Sequence, residues 1–571
     1  MEKIKRLQKL LKKFDIDGYI VPKNNNFFGE YVPSSEDNLK YISNFTGSAG
    51  FAVILKNKNY LFVDGRYTIQ ANMQCGKYYK IFTIPKDYPF NIFKNLNLGF
   101  DPKLHTDSSL NRLFGNTSIK LSAISENLID LLWKRKKNIN TKPFFLIKDK
   151  DAGVKLENKL TDLIKLVKKN KVDFLFTTAS ENVAWLLNIR GTDTDYSPLP
   201  NSHTLIDKSG KVYLFCDLKK ISNSIKVRFK KNVKILNFNL LPNFFSNLKN
   251  KRILIDSISC SIFYRLIIKK NNSILAKQDP IYLLKSIKNK VEINNSITSH
   301  IYDGDALTKF IFWLKNNFKT KKISEISAQE KLLEFRKKNK TFKSLSFPTI
   351  SGSGPNSAII HYKADKISNR LLSKGDIYLV DSGGQYSYGT TDVTRTLSLD
   401  VQSKKIKEIF TRVLKGHIAV ASYKLNENSC GDKIDLVARK YLKDINLDYP
   451  HGTGHGVGYF LNVHEGPQAI SRGNKVKFKE GMITSNEPGF YKKNSFGIRI
   501  ENLIYVKKNN EKLKFIDLTL VPIDKTLIEK KLLTSLEKNW LNKYHVRVFD
   551  CLKKFMNNFE LEQLKQACSN I

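Results

Sequence analysis

The chain of 571 residues contains no apolar run near the roughly 18–20 residues that a membrane-spanning helix needs. Its first residues also lack the apolar centre of a secretory signal. Apolar residues there instead recur at helical spacing (Ile4, Leu7, Leu10, Leu11 and Phe14), which predicts an amphipathic helix, with a transit peptide as the alternative. We therefore expect a cytoplasmic protein without a membrane partner.

Cysteine is scarce as well. Six cysteines are scattered along the chain, and no two of them form a CxxC pair. This spacing argues against a disulfide framework and against a thiolate metal site. We predict that the cysteines are buried free thiols.

Acidic residues are few relative to basic ones. The chain has 97 lysines and arginines against 53 aspartates and glutamates, a net charge of +44. Such a charge raises the hypothesis of nucleic-acid binding. However, the basic residues are spread over the whole length, and neither an RNA-binding aromatic motif nor a paired Cys/His finger accompanies them. We predict no specific nucleic-acid partner, only nonspecific adsorption to polyanions at low salt.

Nucleotide-binding motifs are also missing. The glycine-rich GSGP at 352–355 is not followed by GK[ST], so it is not a phosphate loop. HGTGHGVG at 451–458 lacks the glycine order of a dinucleotide fingerprint. These glycines therefore call for another explanation.

The stretch from 381 to 501 contains a set of residues with metal-binding side chains: Asp381, Asp392, His455, Glu487 and Glu501. Asp381 ends the apolar run Ile377–Val380, and Thr390–Thr396 has the character of a returning strand. A glycine-containing turn between the two strands would let the two aspartates face each other across a hairpin.

The other three candidates lie further along the chain. His455 is in a segment too rich in glycine to be helical, and we predict a loop there. Glu487 follows an apolar stretch and precedes Pro488, which predicts the end of a strand. Glu501 lies in an alternating segment that would place Arg499 and Glu501 on one face of a strand.

Four carboxylates and one imidazole form a hard, oxygen-rich donor set. Such sets suit Mn²⁺ and, less selectively, Zn²⁺, Co²⁺ or Fe²⁺. The carboxylates carry a charge of about −4, which two divalent ions would offset. We predict a site for two divalent metal ions, with Mn²⁺ as the preferred ion and Zn²⁺ or Co²⁺ as alternatives. The competing hypothesis is a group of unrelated surface acids.

Several segments of the chain resemble the motifs of aminopeptidase P, the Xaa-Pro aminopeptidase family of metallopeptidases: DSGGQYSYGTTDVTRT, HGTGHGVG, VHEGP, EPGFY and GIRIEN. The resemblance extends over essentially the whole chain. It implies an α/β multidomain protein with two N-terminal α/β creatinase-like domains (1–147 and 148–288) and a C-terminal α+β pita-bread catalytic domain (289–571). It also implies a homodimer formed through the C-terminal segment, where Trp540 and Tyr544 would pack at the dimer contact or in the domain's own core.

The same resemblance suggests roles for the site residues. His455 would be the histidine ligand, and Asp392 and Glu501 would bridge the two ions, which activate a water for attack on the first peptide bond. Glu487 would move the proton of that water to the leaving nitrogen. The other catalytic and substrate-binding candidates are His361, His451 and His464, with His361 or His464 stabilising the oxyanion. Arg499 would line the substrate site and hold the Glu501 carboxylate.

The implied reaction is removal of a single N-terminal residue from short peptides whose second residue is proline. Prolidase and methionine aminopeptidase remain as enzymatic alternatives. A peptide-binding module of the same fold is the alternative outside the enzymes. The complete ligand set argues against that module, because such modules have lost their ligands.

Overall fold

The computed structural model of the chain describes residues 2–115, 117–135, 140–510 and 512–571. The chain divides into two compact units, Met1–Tyr282 and Leu283–Ile571. Each unit has its own sheets and its own buried apolar core.

The first half of the N-terminal unit is a six-stranded sheet with flanking helices. The sheet order is β4-β3-β2-β1-β5-β6; β2 pairs antiparallel with β1 and with β3, and the other neighbours are parallel. The elements are α1 (Glu2–Lys13), β1 (Gly18–Pro22), α2 (Asn38–Ser43), β2 (Phe51–Leu55), β3 (Asn59–Asp64), α3 (Thr68–Cys75), β4 (Lys80–Ile84), α4 (Pro89–Ile92), β5 (Asn97–Phe100), α5 (Asp107–Phe114) and β6 (Lys120–Ala123). The expected amphipathic opening helix is confirmed, since α1 buries Ile4, Leu7 and Leu11.

The second half of this unit repeats the same design. Its sheet order, β12-β11-β10-β8-β13-β14, has the same sequence of parallel and antiparallel pairs. The elements are β7 (Phe145–Leu146), α6 (Asp149–Ala152), α7 (Leu156–Lys169), β8 (Phe174–Thr177), α8 (Ser180–Leu187), β9 (Ile189–Arg190), β10 (Ser202–Asp207), β11 (Val212–Cys216), α9 (Asn223–Phe229), β12 (Val233–Asn237), α10 (Leu241–Asn247), β13 (Arg252–Ile255), α11 (Ile262–Asn271) and β14 (Ser273–Ala276). The helix α12 (Ile281–Ser286) follows. The two halves are thus α/β domains of one topology; the exact bounds 1–147 and 148–288 stay a prediction.

The C-terminal unit mixes helices with several small antiparallel sheets. Its helices are α13 (Lys290–Asn317), α14 (Glu325–Lys337), α15 (Lys404–Ala421), α16 (Gly431–Lys443), α17 (Ser535–Leu552) and α18 (Asn558–Cys568). Its strands are β15 (Phe342–Leu345), β16 (Ile350–Ser353), β17 (Ile377–Ser382), β18 (Gly384–Tyr386), β19 (Gly389–Thr390), β20 (Val393–Ser398), β21 (Gly454–Gly456), β22 (Glu465–Ile470), β23 (Ile483–Asn486), β24 (Gly489–Lys492), β25 (Phe496–Arg499), β26 (Asn502–Asn509) and β27 (Lys512–Asp517). This is the expected α+β catalytic fold.

Three of these sheets position the candidate site: β16-β17-β20, β22-β21-β23-β26-β27 and the hairpin β24-β25. Helices cover them and bury one apolar core, to which Leu307 of α13, Leu414 of α15, Val548 of α17, and Val380 and Val393 of the sheet contribute. Asn289 caps the N-terminus of the long helix α13, where its side chain accepts hydrogen bonds from the first-turn amides. The helices and the strands of the site therefore share one apolar core.

Trp540 and Tyr544 pack inside their own unit. Their rings stack in parallel with centroids 5.5 Å apart, and the Trp540 ring also contacts His417 edge-on. Tyr544 is buried. Of the two predicted positions, the structure places this pair in the domain's own core.

Two expectations from composition can be compared with the structure. All six cysteines belong to the described residues and are free thiols; five are buried and Cys551 is half-buried. No helix in the described ranges combines the length and the apolarity needed to cross a bilayer.

One buried carboxyl in the N-terminal unit should make its stability depend on pH. Burial raises the pKa of Asp279 to about 6, although Asn182 and the amide of Ile281 donate hydrogen bonds to it. Between pH 4 and 7 the unfolded chain ionises this group before the folded chain does, so stability is lost as the pH rises. Relative to that of Asp279→Asn, the free energy of unfolding of the wild-type protein should fall by up to about 3 kcal/mol over this range.

Urea unfolding of both full-length proteins at several pH values measures this difference. Asp162→Asn, at a side chain that is 61% exposed, is the matched control and should follow the wild type. An unchanged difference between wild type and Asp279→Asn from pH 4 to 7 would contradict the prediction.

Candidate metal centre

The strand pair β17–β20 brings the two aspartates together. β17 and β20 are antiparallel, and Asp381 lies opposite Thr394. Asp392 directly precedes β20, and the small hairpin β18–β19 occupies the turn between the two strands. The predicted arrangement of the aspartates across a hairpin is therefore found.

His455 lies in a short strand, so the predicted loop is wrong. It is the middle residue of β21, which pairs with β22 on one side and β23 on the other. The glycines on either side permit this close packing. A Cβ at Gly454 would lie 1.9 Å from the Ser485 carbonyl oxygen, and one at Gly456 would lie 2.3 Å from that of Glu465.

Glu487 and Glu501 both follow strands. Glu487 comes directly after β23, as predicted. Glu501 lies between β25 and β26, so the single alternating strand expected there is interrupted. The chain passes at this point from the hairpin β24–β25 to the five-stranded sheet. Both faces of the chain are buried in this segment, so its alternation of polar and apolar residues does not distinguish a core face from a solvent face.

The side chains of these segments converge. One ligand atom each from Asp392, His455 and Glu501 lie within 4.8 Å of one another. His455 Nε2 is 3.5 Å from Asp392 Oδ2 and 3.4 Å from Glu487 Oε1. His455 Nδ1 is 2.9 Å from the Gly456 carbonyl oxygen, to which it can donate. That bond leaves the Nε2 lone pair facing the acids, the arrangement a metal-ligating histidine requires.

Two buried carboxylate oxygens in the centre lack a hydrogen bond within the described chain: Oδ1 of Asp381 and Oδ1 of Asp392. A buried carboxylate oxygen without a partner is costly, since nothing replaces its hydration. Four carboxylates and an imidazole with a free lone pair are the donors that hard or borderline divalent cations bind. The residues present thus fit a metal centre.

The acids also perturb one another. Burial, followed by the charges of neighbouring acids, raises the pKa of Asp392 and that of Glu501 well above their ordinary values. A bound cation favours the ionised form of such groups, so metal binding and proton release are coupled.

Arg499 holds Asp381 and not Glu501, so the predicted contact is wrong. Its Nη2 donates to Asp381 Oδ2 at 2.6 Å. The hydroxyl of Thr394 donates to Glu501 Oε2 at 2.7 Å and accepts from Arg499 Nε at 3.0 Å. The interruption between β25 and β26 is the reason, because it removes the common strand face on which the prediction depended.

Sequence reasoning missed Thr394, although a signal was present. Residues 392, 394 and 396 alternate along one strand and therefore share a face. Tyr491 was missed as well, and no local pattern distinguishes it. Its hydroxyl lies 2.8 Å from His451 Nε2 and 2.7 Å from Arg499 Nη1. A hydrogen-bonded chain therefore links His451, through Tyr491 and Arg499, to Asp381.

Of the other two histidines, His464 lies beside the centre, and the backbone next to His361 lies near Arg499. The rings of His464 and His455 are in edge-to-face contact, with centroids 4.3 Å apart. His361 is half-buried and follows Ile360, whose carbonyl oxygen is 3.5 Å from Arg499 Nη2.

Glu465, the residue after His464, is a further feature that sequence reasoning missed. Its carboxylate is paired with Lys285 at 2.7 Å and Lys288 at 2.5 Å, and all three side chains are buried. These ion pairs fix the start of β22 directly beside the predicted oxyanion histidine.

Comparison with known families first defines the class. Residues 298–508 match the family model of metallopeptidase family M24, and residues 511–571 match that of the C-terminal region of peptidase M24. Residues 3–128 and 135–292 match two models of the creatinase/prolidase N-terminal domain. The catalytic unit is thus an M24 metallopeptidase preceded by creatinase-type domains.

Full-length relatives then identify the particular family. The chain is 36% identical to a probable Xaa-Pro aminopeptidase P from Laccaria bicolor, over 100% of this chain and 93% of that protein. It is also 36% identical to Xaa-Pro aminopeptidase 1 of Dictyostelium discoideum, over 99% and 95% of the two chains. The chain belongs to the Xaa-Pro aminopeptidase P family.

One solved structure agrees with this assignment, and a second shares only the fold. An X-prolyl aminopeptidase from Caenorhabditis elegans, described as a cytosolic enzyme with a di-nuclear active site, superposes with a TM-score of 0.94 at 30% identity and covers 100% of this chain and 99% of its own. A prolidase from Pyrococcus furiosus shares the fold over 62% of this chain, with a TM-score of 0.52 and 24% identity.

The metal centre makes a direct prediction about metal content. After loading with Mn²⁺ and removal of free ion, the protein should retain about two ions per chain, as four carboxylates require. Asp392→Asn and Glu501→Gln should each retain close to none, since both are expected to bridge the ions. Elemental analysis measures the content, and Glu427→Gln, at an exposed glutamate, is the control. Full loading of both ligand variants would contradict this assignment.

Proposed function

We propose that this chain is a two-metal aminopeptidase that cleaves the first peptide bond of peptides with proline at the second position. The convergence of Asp392, His455 and Glu501 within 4.8 Å carries the proposal, because it occurs in a chain of the Xaa-Pro aminopeptidase P family. Membership of the family supports the substrate, and the donor set supports the chemistry.

Five residues would hold the metal ions: Asp381, Asp392, His455, Glu487 and Glu501. Mn²⁺ is the preferred ion, because the donors are mainly carboxylate oxygens. When bound, two divalent ions lower the pKa of a water and polarise the scissile carbonyl. Arg499 supports this set by neutralising one of its four carboxylates at Asp381.

Glu487 is the proposed proton carrier. Its Oε1 accepts a hydrogen bond from the Ser485 hydroxyl at 3.1 Å and lies 3.4 Å from His455 Nε2. These contacts orient the carboxylate towards the centre. From this position Glu487 can take the proton of the attacking water and pass it to the leaving nitrogen.

The histidines would act on the substrate. His464 lies against His455, so its ring can reach the carbonyl oxygen of a bound peptide and stabilise the developing oxyanion. His361 is the second candidate for that role. His451 is held by Tyr491 and lines the substrate site together with Arg499.

Proline at the second position has a physical consequence for recognition. An Xaa–Pro bond is a tertiary amide without an N–H, and the proline ring fixes φ near −65°. An aminopeptidase that depends on that N–H rejects such a peptide. A site that selects it needs a wall shaped for the ring and a proton donor for the proline nitrogen, and the three histidines are candidates for both roles.

The remaining proposals concern assembly and location. We infer a homodimer formed through the C-terminal segment, which a monomeric mass at micromolar concentration would contradict. We also infer a cytoplasmic protein, supported by the nematode relative described as cytosolic. We propose that the protein has no specific nucleic-acid partner despite its excess of basic residues. Saturable, sequence-selective binding of a nucleic acid at physiological salt would contradict this proposal.

The substrate proposal is tested by incubating the Mn²⁺-loaded protein with Arg-Pro-Pro, Arg-Ala-Ala, Arg-Pro and Met-Ala-Ala and following release of the free first residue. Loss of contacts with the proline ring should cost the alanine peptide roughly 10–200-fold in kcat/KM. A chelated sample and Glu487→Gln are the inactive controls. Equal rates on Arg-Pro-Pro and Arg-Ala-Ala would indicate a broad aminopeptidase. Activity on Arg-Pro alone would indicate a prolidase. Activity confined to a peptide with N-terminal methionine would indicate a methionine aminopeptidase.

The role of His464 is tested separately. His464→Ala should lower kcat by roughly 10²–10³-fold, because an oxyanion donor acts mainly in the transition state. Its metal content should equal that of the wild type, since His464 is not among the five ligands. A parallel loss of metal would show that the ring supports the centre and does not act on the substrate.

A further inference from the structure

Arg395 is a buried arginine without an acidic partner. It is 1% exposed, and none of the ion pairs found among the described residues includes it. Its guanidinium donates only to neutral acceptors, among them the backbone carbonyl of Glu501 at 2.6 Å and the side chain of Asn502 at 2.8 Å. A buried charge is costly unless it is well hydrogen-bonded, so this arrangement calls for an explanation.

The explanation lies in how Glu501 is held. Glu501 occupies the gap between β25 and β26, outside the regular strand pairing. Its amide donates to the Thr394 carbonyl at 3.2 Å, its carbonyl accepts from Arg395, and its carboxylate accepts from the Thr394 hydroxyl. Backbone and side chain are therefore both anchored to two consecutive residues of β20.

The other predicted bridging ligand directly precedes the same strand. Asp392 is two residues before Thr394, so the anchor on Glu501 also fixes the spacing between Asp392 and Glu501. That spacing decides whether both carboxylates can reach the same pair of ions.

Arg395 is in turn oriented by the C-terminal helix α17. Tyr544 accepts a hydrogen bond from Arg395 Nη2 at 2.9 Å, and its hydroxyl lies 2.9 Å from the Val521 carbonyl, to which it can donate. Val521 also accepts directly from Arg395 Nη2 at 2.8 Å. Arg395 and Glu501 belong to the part of the chain that matches the M24 model, whereas Tyr544 and Val521 belong to its C-terminal region.

We propose that Arg395 is a positioning residue for the metal ligand Glu501 and that Tyr544 of α17 completes this support, so that the C-terminal region sets the affinity of the centre for its ions. The inference rests on the proposed function in one respect, that Glu501 is a metal ligand. It assigns to α17 a role in the active site in addition to its place in the core.

The test measures Mn²⁺ binding to the full-length protein by titration calorimetry or by competition with a chromogenic chelator. Tyr544→Phe removes only the hydroxyl and should weaken Mn²⁺ binding about 10-fold, the lower end of the effect of losing an outer-shell partner. Arg395→Lys, which cannot make the same set of bonds, should weaken it at least as much. Tyr378→Phe is the matched control, because it removes another buried hydroxyl of this unit, one that bonds Ser351.

Thermal unfolding of the same samples separates positioning from stability. The inference is overturned if Tyr544→Phe remains folded, whatever its melting temperature, and binds Mn²⁺ with wild-type affinity. Tyr544→Phe, the conservative variant, decides the result even if Arg395→Lys does not fold. Wild-type protein that binds no Mn²⁺ would contradict the proposed function, and the inference with it.

Discussion

Mutual repulsion among four carboxylates, three of them buried and that of Glu487 half-buried, is the constraint on which the catalytic unit depends. Asp381, Asp392, Glu487 and Glu501 are drawn into one small volume, where low polarisability strengthens every charge interaction. Among the residues that the structure describes, Arg499 is the cationic side chain bonded to this group, and it offsets only part of the charge. Two divalent cations would more than offset the remaining charge, which makes metal binding part of the stability of the site as well as of its chemistry.

The scaffold meets this constraint by taking each ligand from a different strand or strand junction. Short strands of three small sheets end at the centre, and glycines let β21 approach its neighbours closely enough to place His455. Hydroxyl groups then orient the acids, as Thr394 does for Glu501 and Ser485 does for Glu487. The helices contribute less directly, through the core beneath the sheets and through Tyr544.

Local pattern was sufficient for part of this arrangement. The aspartate pair could be predicted because an apolar run, a turn and a returning strand lie within some twenty residues of each other. The contact between Arg499 and Asp381 could not, because it joins residues 118 positions apart and depends on how two sheets meet. The contact of Tyr491 with His451 and that of Arg395 with Tyr544 could not be predicted either, because they also join residues far apart in the sequence. The strand at His455 was missed because glycine signals a loop unless the close approach of neighbouring backbone is known.

The central claim is that five side chains hold two metal ions in one centre. An anomalous diffraction map of the Mn²⁺-loaded protein tests it most directly, since it locates the ions independently of any assay. The account predicts two peaks per chain, both in contact with Asp392 and Glu501 and flanked by Asp381, His455 and Glu487. A single peak, or peaks bound away from these residues, would contradict it.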